Sequence, residues 1–375
     1  MDNPLKKLFS DTKLFGGGSG NSAVGIDIGS SSIKIVEIKN KKGKAVLETY
    51  GAISLGPYAD TDAGRVTNLP AEKIAEALKE VLKQSGTTSS SVALSIPVQS
   101  SLIFTIELPP QVKESEISSI VPIEARKYIP MSISEVSLDY FVLPKREISF
   151  EEANNPDLPT SGSEKTEVLV VAIQNEAISK YQSIVSLCSL DASFFEVEIF
   201  SSIRANFQHE LSPVLLMDFG ASRTKLSIVE FGSVKSFHII NRGGADISDT
   251  ISKSLNIPFS KAEEMKKEFG LFGSPNEKNL ADIIKVHTDY IFSETNRVLL
   301  EYEKKYNRAI SKVILTGKGC LLKGINEEAN SNFKAEVVIG NPFSKVQAPA
   351  FLEKVLSVAG PEFAVALGLA LRKLQ

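Results

Sequence analysis

Two stretches of the chain share one pattern of apolar and polar positions. They read GIDIGSSSIKIVEI, at residues 25–38, and MDFGASRTKLSIVE, at residues 217–230. Each begins as an apolar strand, passes through Asp-x-Gly and a turn of small residues, and continues as a second apolar strand. In the alignment Asp27 matches Asp218, and Lys34 matches Lys225. Two similar units about half a chain apart predict two related lobes that face one another.

The pattern around the first copy predicts an α/β lobe. We expect three strands within residues 24–56 and a helix over residues 70–85, with Pro70 near its start and Gly86 after its end. The segments SVALSIP and SLIFTIELP follow as strands, each ended by a proline.

The next unit has a different pattern of apolar and polar positions. Its pattern predicts helix 113–128 with Pro122 as an interior irregularity, strand 136–148, a polar mobile loop at 151–165, strand EVLVVAI, and a helix from Asn175 with Cys188 on its apolar side. We interpret residues 111–195 as a small α+β module inserted into the first lobe.

The second copy is followed by a matching set of elements. A helix is expected after Glu198, and Asp246 is a candidate N-cap for a helix that follows Gly243 and Gly244. Helices are predicted over 259–270 and 279–306. Residues 312–324, KVILTGKGCLLKG, predict a strand, a Gly-x-Gly turn and a helix start, and PEFAVALGLALRKL predicts a closing helix.

These elements divide the chain into four parts. We expect a flexible N-terminal tail at 1–23, a first lobe at 24–110 completed by helix 361–375, the insertion at 111–195, and a second lobe at 196–360. The tail ends in GGGSGNS, which is typical of a linker, and its Leu5, Leu8 and Phe9 leave open a short amphipathic contact with a membrane or a partner.

Composition narrows the function classes. The chain has 375 residues, 42% of them apolar and 23% charged, which is typical of a soluble protein with more than one core. A net charge of −3 provides no basic field for nucleic acid. No apolar run reaches the length of about 18 residues that a spanning helix needs. Cys188 and Cys320 fit no metal or redox spacing and are expected to be buried thiols, and the three histidines do not cluster.

The repeated hairpin has a specific chemistry. Successive backbone N–H groups in a glycine-containing turn form an anion-binding nest, to which serine hydroxyls add donors. An Asp at the end of an apolar strand suits a hydrated Mg²⁺, which takes few carboxylates and keeps several waters. The alternative for either copy alone is a plain β-hairpin with a polar turn.

The combined motifs resemble the actin/Hsp70/sugar-kinase ATPase superfamily. IDIGSSSIK and MDFGASRTK resemble its two phosphate loops, LTGKGCLLKG its adenosine motif, and PEFAVALGLALR its closing hinge helix. The resemblance implies a two-lobed actin-like ATPase fold with duplicated ribonuclease-H-like βββαβαβα lobes, and a subdomain at about 245–310 that covers the nucleotide.

The resemblance also implies a site for ATP and Mg²⁺ and assigns residues to it. Asp27 and Asp218 hold the metal through its waters, and Glu198 is the candidate for orienting a catalytic water. The residues assigned to the nucleotide are Gly29, Ser30, Ser31, Ser32, Lys34, Gly220, Ala221, Ser222, Thr224, Gly243, Gly244, Glu263, Lys266, Gly317, Lys318, Gly319 and Leu322. A solvated strand residue remains the alternative for Lys34, and a surface ion pair is the alternative for Glu263 and Lys266.

Within the superfamily, the insertion with EISSIVPIEARKYIP resembles the PilM family of type IV pilus assembly proteins. That resemblance implies a cytoplasmic protein that binds ATP, hydrolyses it slowly if at all, and captures the N-terminal tail of a PilN-type inner-membrane protein. It implies a link to pilus motor ATPases and twitching motility, and leaves self-association open. The alternatives are an FtsA-like filament protein of cell division and a sugar or acetate kinase, although no acceptor-substrate motif is recognisable.

Overall fold

Two five-stranded sheets with the same topology form the framework of the protein. The computed structural model describes residues 22–143, 165–208, 210 and 212–374. The first sheet has the order β3-β2-β1-β4-β8, from β1 (Ser22–Ile28), β2 (Ser32–Lys41), β3 (Lys44–Ser54), β4 (Ser91–Ile96) and β8 (Asp191–Val197). The second has the order β11-β10-β9-β12-β13, from β9 (Val214–Phe219), β10 (Thr224–Glu230), β11 (Ser233–Ile240), β12 (Lys312–Thr316) and β13 (Glu336–Ile339).

The two sheets pair their strands in the same way. In each, the first three strands form an antiparallel meander, and the outer two run parallel to the first strand. Strand β4, which lies between two parallel neighbours, is buried on both faces. Its sequence is therefore a nearly continuous apolar run. The duplication predicted from the two hairpins is therefore a duplication of whole sheets.

Ten helices among the described residues cover these sheets and a third, smaller one. They are α1 (Ala71–Gln84), α2 (Glu114–Ala125), α3 (Asn175–Leu187), α4 (Glu198–Asn206), α5 (Gly244–Leu255), α6 (Phe259–Phe269), α7 (Leu280–Tyr306), α8 (Ile325–Asn332), α9 (Glu353–Ala359) and α10 (Ala364–Leu374). Most of these bounds agree with the predicted helices to within a few residues, whereas α9 had no predicted counterpart.

The closing helix α10 packs unusually close to its neighbours. A Cβ on Gly25 would lie 1.9 Å from the carbonyl oxygen of Ala366, and a Cβ on Gly368 would lie 1.9 Å from that of Ser201. Glycine at these two positions lets β1 and α4 approach the helix backbone. Helix α10 therefore packs closely against β1 and α4, as its small residues predicted.

One helical stretch in the described part of the chain, Ala350–Leu374, is long and apolar enough to cross a membrane. However, 61% of its most apolar window is buried inside the fold. It includes α10, which lies against β1, β2 and α4, so its apolar composition is that of a core helix.

The inserted subdomain has different bounds from those predicted. Its sheet has the order β5-β7-β6, from β5 (Ser101–Leu108), β6 (Val136–Val142) and β7 (Thr166–Gln174), and α2 buries Ile117 and Val121 against it. Strand β8 pairs with β4 in the first sheet, and α3 packs into the core of the first lobe through Ile184. Strand pairing thus corrects the insertion from 111–195 to about 101–174, because an apolar pattern does not state which sheet a strand joins.

Three smaller expectations also need comment. Helix α5 begins at Gly244, and the Asp246 carboxylate accepts the N–H of Gly243 at 2.8 Å, so Gly243 rather than Asp246 occupies the N-cap position. Cys320 is buried as expected, whereas Cys188 is only partly buried. The predicted loop at 151–165 and tail at 1–23 fall almost entirely outside the described residues.

Candidate functional site

Each repeated hairpin places an aspartate directly opposite a lysine. Asp27 on β1 pairs across the strands with Lys34 on β2, and Asp218 on β9 pairs with Lys225 on β10. The Lys34 ammonium lies 3.4 Å from Asp27 Oδ2, and the Lys225 ammonium lies 2.8 Å from Asp218 Oδ2. The aligned residues of the sequence repeat are therefore equivalent in space.

The turns of the two hairpins are also equivalent, and they meet. The Gly29 N–H donates to the carbonyl of Ser32 at 3.0 Å, and the Gly220 N–H donates to the carbonyl of Arg223 at 2.9 Å. Between the lobes, the Ser30 hydroxyl donates to the Ser222 hydroxyl at 3.1 Å. Two turns rich in backbone N–H groups thus face one another across a single opening.

That opening is a cleft of about 1340 Å³ between the two lobes. It is large enough for a cofactor-sized ligand. Of the residues assigned from sequence, those that line it are Asp27, Gly29, Ser30, Ser31, Ser32, Lys34, Glu198, Asp218, Gly220, Ala221, Ser222, Gly244, Glu263, Lys266, Gly317, Lys318, Gly319 and Leu322.

Two assigned residues, Thr224 and Gly243, do not line the cleft. Thr224 is fully buried, and its hydroxyl donates to the carbonyl of Arg242 at 3.0 Å. A Cβ on Gly243 would lie 2.4 Å from the carbonyl oxygen of Ala221, so glycine there lets α5 approach the second turn. The structure corrects both from ligand contacts to supports of the turn.

The acidic residues of the hairpins suit a hydrated cation. Asp27 also accepts the Ser95 hydroxyl at 2.9 Å through Oδ1, so both of its oxygens have partners. No group of three or more His, Cys, Asp or Glu side chains gathers at a potential metal site within the described residues. Asp27 and Asp218 both line the cleft, and two carboxylates fit a hydrated Mg²⁺, which takes few of them.

Lys225 is the residue of the site that the sequence assignment missed. Its ammonium lies 2.6 Å from Glu198 Oε2, in addition to its contact with Asp218. Burial opposes the charge, but the carboxylates of Asp218 and Glu198 outweigh burial and raise the pKa of Lys225 above its ordinary value. Its two carboxylate contacts therefore favour the charged form of Lys225. Its match to Lys34 in the repeat was the signal that could have identified it.

Two glycines shape the cleft next to Asp218. Gly317 has φ of 78°, and a Cβ there would lie 2.3 Å from Asp218 Oδ1. A Cβ on Gly319 would lie 2.4 Å from the ring of Phe219. The Gly317 N–H is held by the carbonyl of Pro361 at 2.9 Å. The turn can thus bring its backbone close to a flat ligand.

Glu263 and Lys266 line the cleft and also bond to each other. The Lys266 ammonium lies 2.6 Å from Glu263 Oε2 and donates to the carbonyl of Gly244 at 2.7 Å. Burial opposes ionisation of Glu263, but Lys266 and the Ser248 hydroxyl lower its pKa below the ordinary value. Both the ligand-contact interpretation and the ion-pair alternative are compatible with this position.

Comparison with known proteins identifies relatives of the whole chain. A protein-family model described as type IV pilus assembly protein PilM matches residues 25–374. A solved structure described as a PilM-PilN type IV pilus biogenesis complex is similar at a TM-score of 0.78 and 25% identity, over 94% of this chain and 98% of that chain.

More distant relatives share the fold. The ethanolamine utilization protein EutJ from Carboxydothermus hydrogenoformans is similar at a TM-score of 0.52 and 16% identity, over 94% of this chain and 90% of that chain. The cell division protein FtsA of Staphylococcus epidermidis is 25% identical over 378 residues, which cover 90% of this chain and 78% of that protein. These matches confirm the predicted two-lobed actin-like fold.

Proposed function

The chain belongs to the type IV pilus assembly protein PilM family, and on this premise we propose that it is an ATP-binding adaptor that binds the cytoplasmic N-terminal tail of a PilN-type inner-membrane protein. In this role it is a cytoplasmic protein that reaches the membrane only through that partner. Contacts with pilus motor ATPases, and self-association, are further parts of the family role that this proposal leaves to experiment.

The nucleotide part of the proposal rests on the meeting of the two turns. Backbone N–H groups and hydroxyls of Gly29–Ser32 face those of Gly220–Ser222, with Ser30 and Ser222 in contact at 3.1 Å. Lys34 adds positive charge beside the first turn. Such an arrangement suits the phosphates of ATP, with Mg²⁺ between the aspartates and the adenosine against the Gly317–Gly319 turn.

A nucleotide held by both lobes would stabilise their closed arrangement. The lobes also meet outside the turns. Nη1 of Arg65 in the first lobe lies 3.2 Å from Oδ1 of Asp249 in the second lobe, and the same guanidinium lies over the ring of Phe259, also in the second lobe. A ligand shifts such an equilibrium only by its different affinity for the open and closed states. ATP, by contacting both turns, would have that difference.

The partner part of the proposal is supported by the match to a structure described as a PilM-PilN complex. It is tested with a fluorescent peptide that copies the N-terminal tail of the PilN-type protein of the same organism. We expect saturable binding by fluorescence anisotropy, and an affinity that ATP changes by about fivefold or more, which is the lower range of allosteric coupling. A scrambled peptide is the control.

Absence of saturable binding, with and without ATP, would contradict the adaptor proposal. Nucleotide-dependent filaments on lipid would then favour the FtsA-like alternative, for which the relative from Staphylococcus epidermidis is the supporting observation. Release of ADP that depends on an added sugar or acetate would favour the kinase alternative.

A further inference from the structure

Both carboxylate oxygens of Glu198 are already engaged. Glu198 is the first residue of α4 and lines the cleft, yet its side chain is only 10% exposed. Oε1 accepts the backbone N–H of Val98 at 3.0 Å, and Oε2 lies 2.6 Å from the Lys225 ammonium. A carboxylate bound in this way offers little to a water molecule in the cleft.

Lys225 is itself fixed in place. Its ammonium bridges Glu198 and Asp218, and its backbone lies opposite Asp218 in the β9–β10 hairpin. The side chains of Lys225 and Asp218 are 11% and 15% exposed. Charge-assisted hydrogen bonds of this length are the strong ones in proteins, and breaking a buried pair is costly. Lys225 therefore stays on Glu198 rather than exchanging with solvent.

The first lobe has no counterpart of this arrangement. Lys34 occupies the equivalent position, but its contact with Asp27 is longer, at 3.4 Å. Within the described residues, Lys34 makes no bond to a second carboxylate like the bond between Lys225 and Glu198. The two lysines that the repeat makes equivalent thus differ in one respect. Only Lys225 also neutralises the carboxylate that could orient a water.

We propose that Lys225 restrains Glu198, so that the protein holds ATP in the cleft instead of hydrolysing it. This inference rests on the proposed binding of ATP. In hydrolysis, the oxygen of a water forms a bond to the γ-phosphorus while the bond from that phosphorus to the β–γ bridging oxygen breaks. The electron pair of the broken bond leaves with ADP, and the proton of the water passes to the released phosphate.

Restraint of Glu198 slows that step by removing a group that would position the water. Positioning of the nucleophile by a side chain is a principal component of phosphoryl transfer, because the reaction has little covalent chemistry for the protein to perform. With Oε2 on Lys225 and Oε1 on Val98, each oxygen of Glu198 has already given up an acceptor site with which it would align a water. ATP then acts as a bound ligand that keeps the lobes closed.

The test is single-turnover hydrolysis of ATP labelled at the γ-phosphate, measured on the full chain under conditions where all the ATP is bound. Lys225→Met keeps the length of the side chain and removes its charge. We expect this variant to retain ATP. We also expect it to raise the hydrolysis rate by about tenfold or more, a smaller factor than full acid–base catalysis contributes. Adding Glu198→Gln to Lys225→Met is expected to abolish the gain.

Two further variants keep the test informative. Glu198→Gln alone is expected to change the slow wild-type rate of hydrolysis by less than about twofold. The reason is that a restrained carboxylate does not accelerate hydrolysis in the wild type. Lys34→Met is the matched control at the mirrored position. It is expected to weaken ATP binding without accelerating hydrolysis of the ATP that remains bound.

Three results would overturn the proposal. They are loss of ATP binding in folded Lys225→Met, an unchanged or lower rate in that variant, and a loss of about fivefold or more in Glu198→Gln alone. If Lys225→Met does not fold, the hydrolysis rates of Lys225→Gln and of Glu198→Gln are used to test the proposal instead. Failure of the wild-type chain to bind ATP is a separate outcome, which would remove the proposed nucleotide function itself.

Discussion

At the scale of single residues, the two aspartates of the hairpins hold equivalent places on opposite sides of the cleft. The Asp27 carboxylate accepts a hydrogen bond from Ser95 and pairs with Lys34, whereas the Asp218 carboxylate pairs with Lys225. Both carboxylates line the cleft, one from each lobe. The pair therefore reports on whether one ligand spans the lobes.

We expect Asp27→Ala and Asp218→Ala each to lower the affinity for Mg-ATP by at least about tenfold, since each removes a charge that a hydrated Mg²⁺ would need. Isothermal titration calorimetry measures the loss. Circular dichroism checks that both variants remain folded.

Asp289→Ala is the matched control for these variants, because Asp289 is exposed on α7 and lies outside the cleft. It should bind Mg-ATP as the wild type does. Wild-type affinity in both Asp27→Ala and Asp218→Ala would remove the metal role proposed for them.

Sequence reasoning identifies residues whose type is unusual for their place. Asp27 and Asp218 at strand ends, and glycines before small-residue turns, are conspicuous in an apolar strand pattern. Thr224 matched the same pattern, but its hydroxyl turns to Arg242 inside the lobe. Lys225 was aligned with Lys34 but assigned no role, because only the packing of α4, which the local pattern does not contain, brings Glu198 to it.

At the scale of elements, Glu196 joins three of them. It lies on β8 and is almost completely buried, and its carboxylate receives Arg204 of α4 at 2.8 Å and Arg372 of α10 at 2.6 Å. The Ser201 hydroxyl also donates to it. Burial opposes ionisation, but the guanidinium groups outweigh burial and lower the pKa of Glu196 below its ordinary value.

This lowered pKa makes stability depend on pH in a defined direction. The unfolded chain binds a proton at Glu196 more readily than the folded chain does, so the stabilisation is complete above about pH 4.5 and declines as the pH falls further. Glu196→Gln is expected to reduce the free energy of unfolding by about 3–5 kcal/mol at pH 7, because it leaves two arginines without their buried partner. The reduction should be smaller at pH 3.5 than at pH 7.

Urea unfolding at the two pH values measures both free energies. Glu48→Gln is the control, since Glu48 pairs with Lys39 and Lys41 at the surface, where ion pairs contribute little. Equal reductions at pH 7 and pH 3.5 in Glu196→Gln would contradict the account of this network.

The elements themselves could largely be predicted from the sequence, but not their partners. The period of the apolar residues marked α1, α7 and α10, and the Asp-x-Gly turns marked both hairpins. Strand β5 follows β4 closely along the chain, and yet it pairs with β7 in the smaller sheet. Strand β8 returns to the first sheet after the whole insertion. Such long-range pairings depend on tertiary packing, which a local pattern does not contain.

At the scale of the whole molecule, the repeat in the sequence becomes two lobes around one cleft. Their contacts are few and polar where the turns meet, as in the Ser30–Ser222 bond, and the ion pair of Arg65 and Asp249 is partly exposed. Polar contacts of this kind permit relative motion of domains. A ligand bound by both turns would therefore act on how the two lobes are arranged. The inserted subdomain packs on the second lobe as well, with Leu143 and Leu169 against Val214 and Leu216.

The central claim is that both lobes bind one nucleotide, and a crystal structure of the protein with a non-hydrolysable ATP analogue and Mg²⁺ tests it most directly. The account predicts phosphate density that contacts backbone N–H groups of both Gly29–Ser32 and Gly220–Ser222, with the adenosine against Gly317–Gly319. Density in contact with the turn of one lobe alone, or bound outside the cleft, would contradict it.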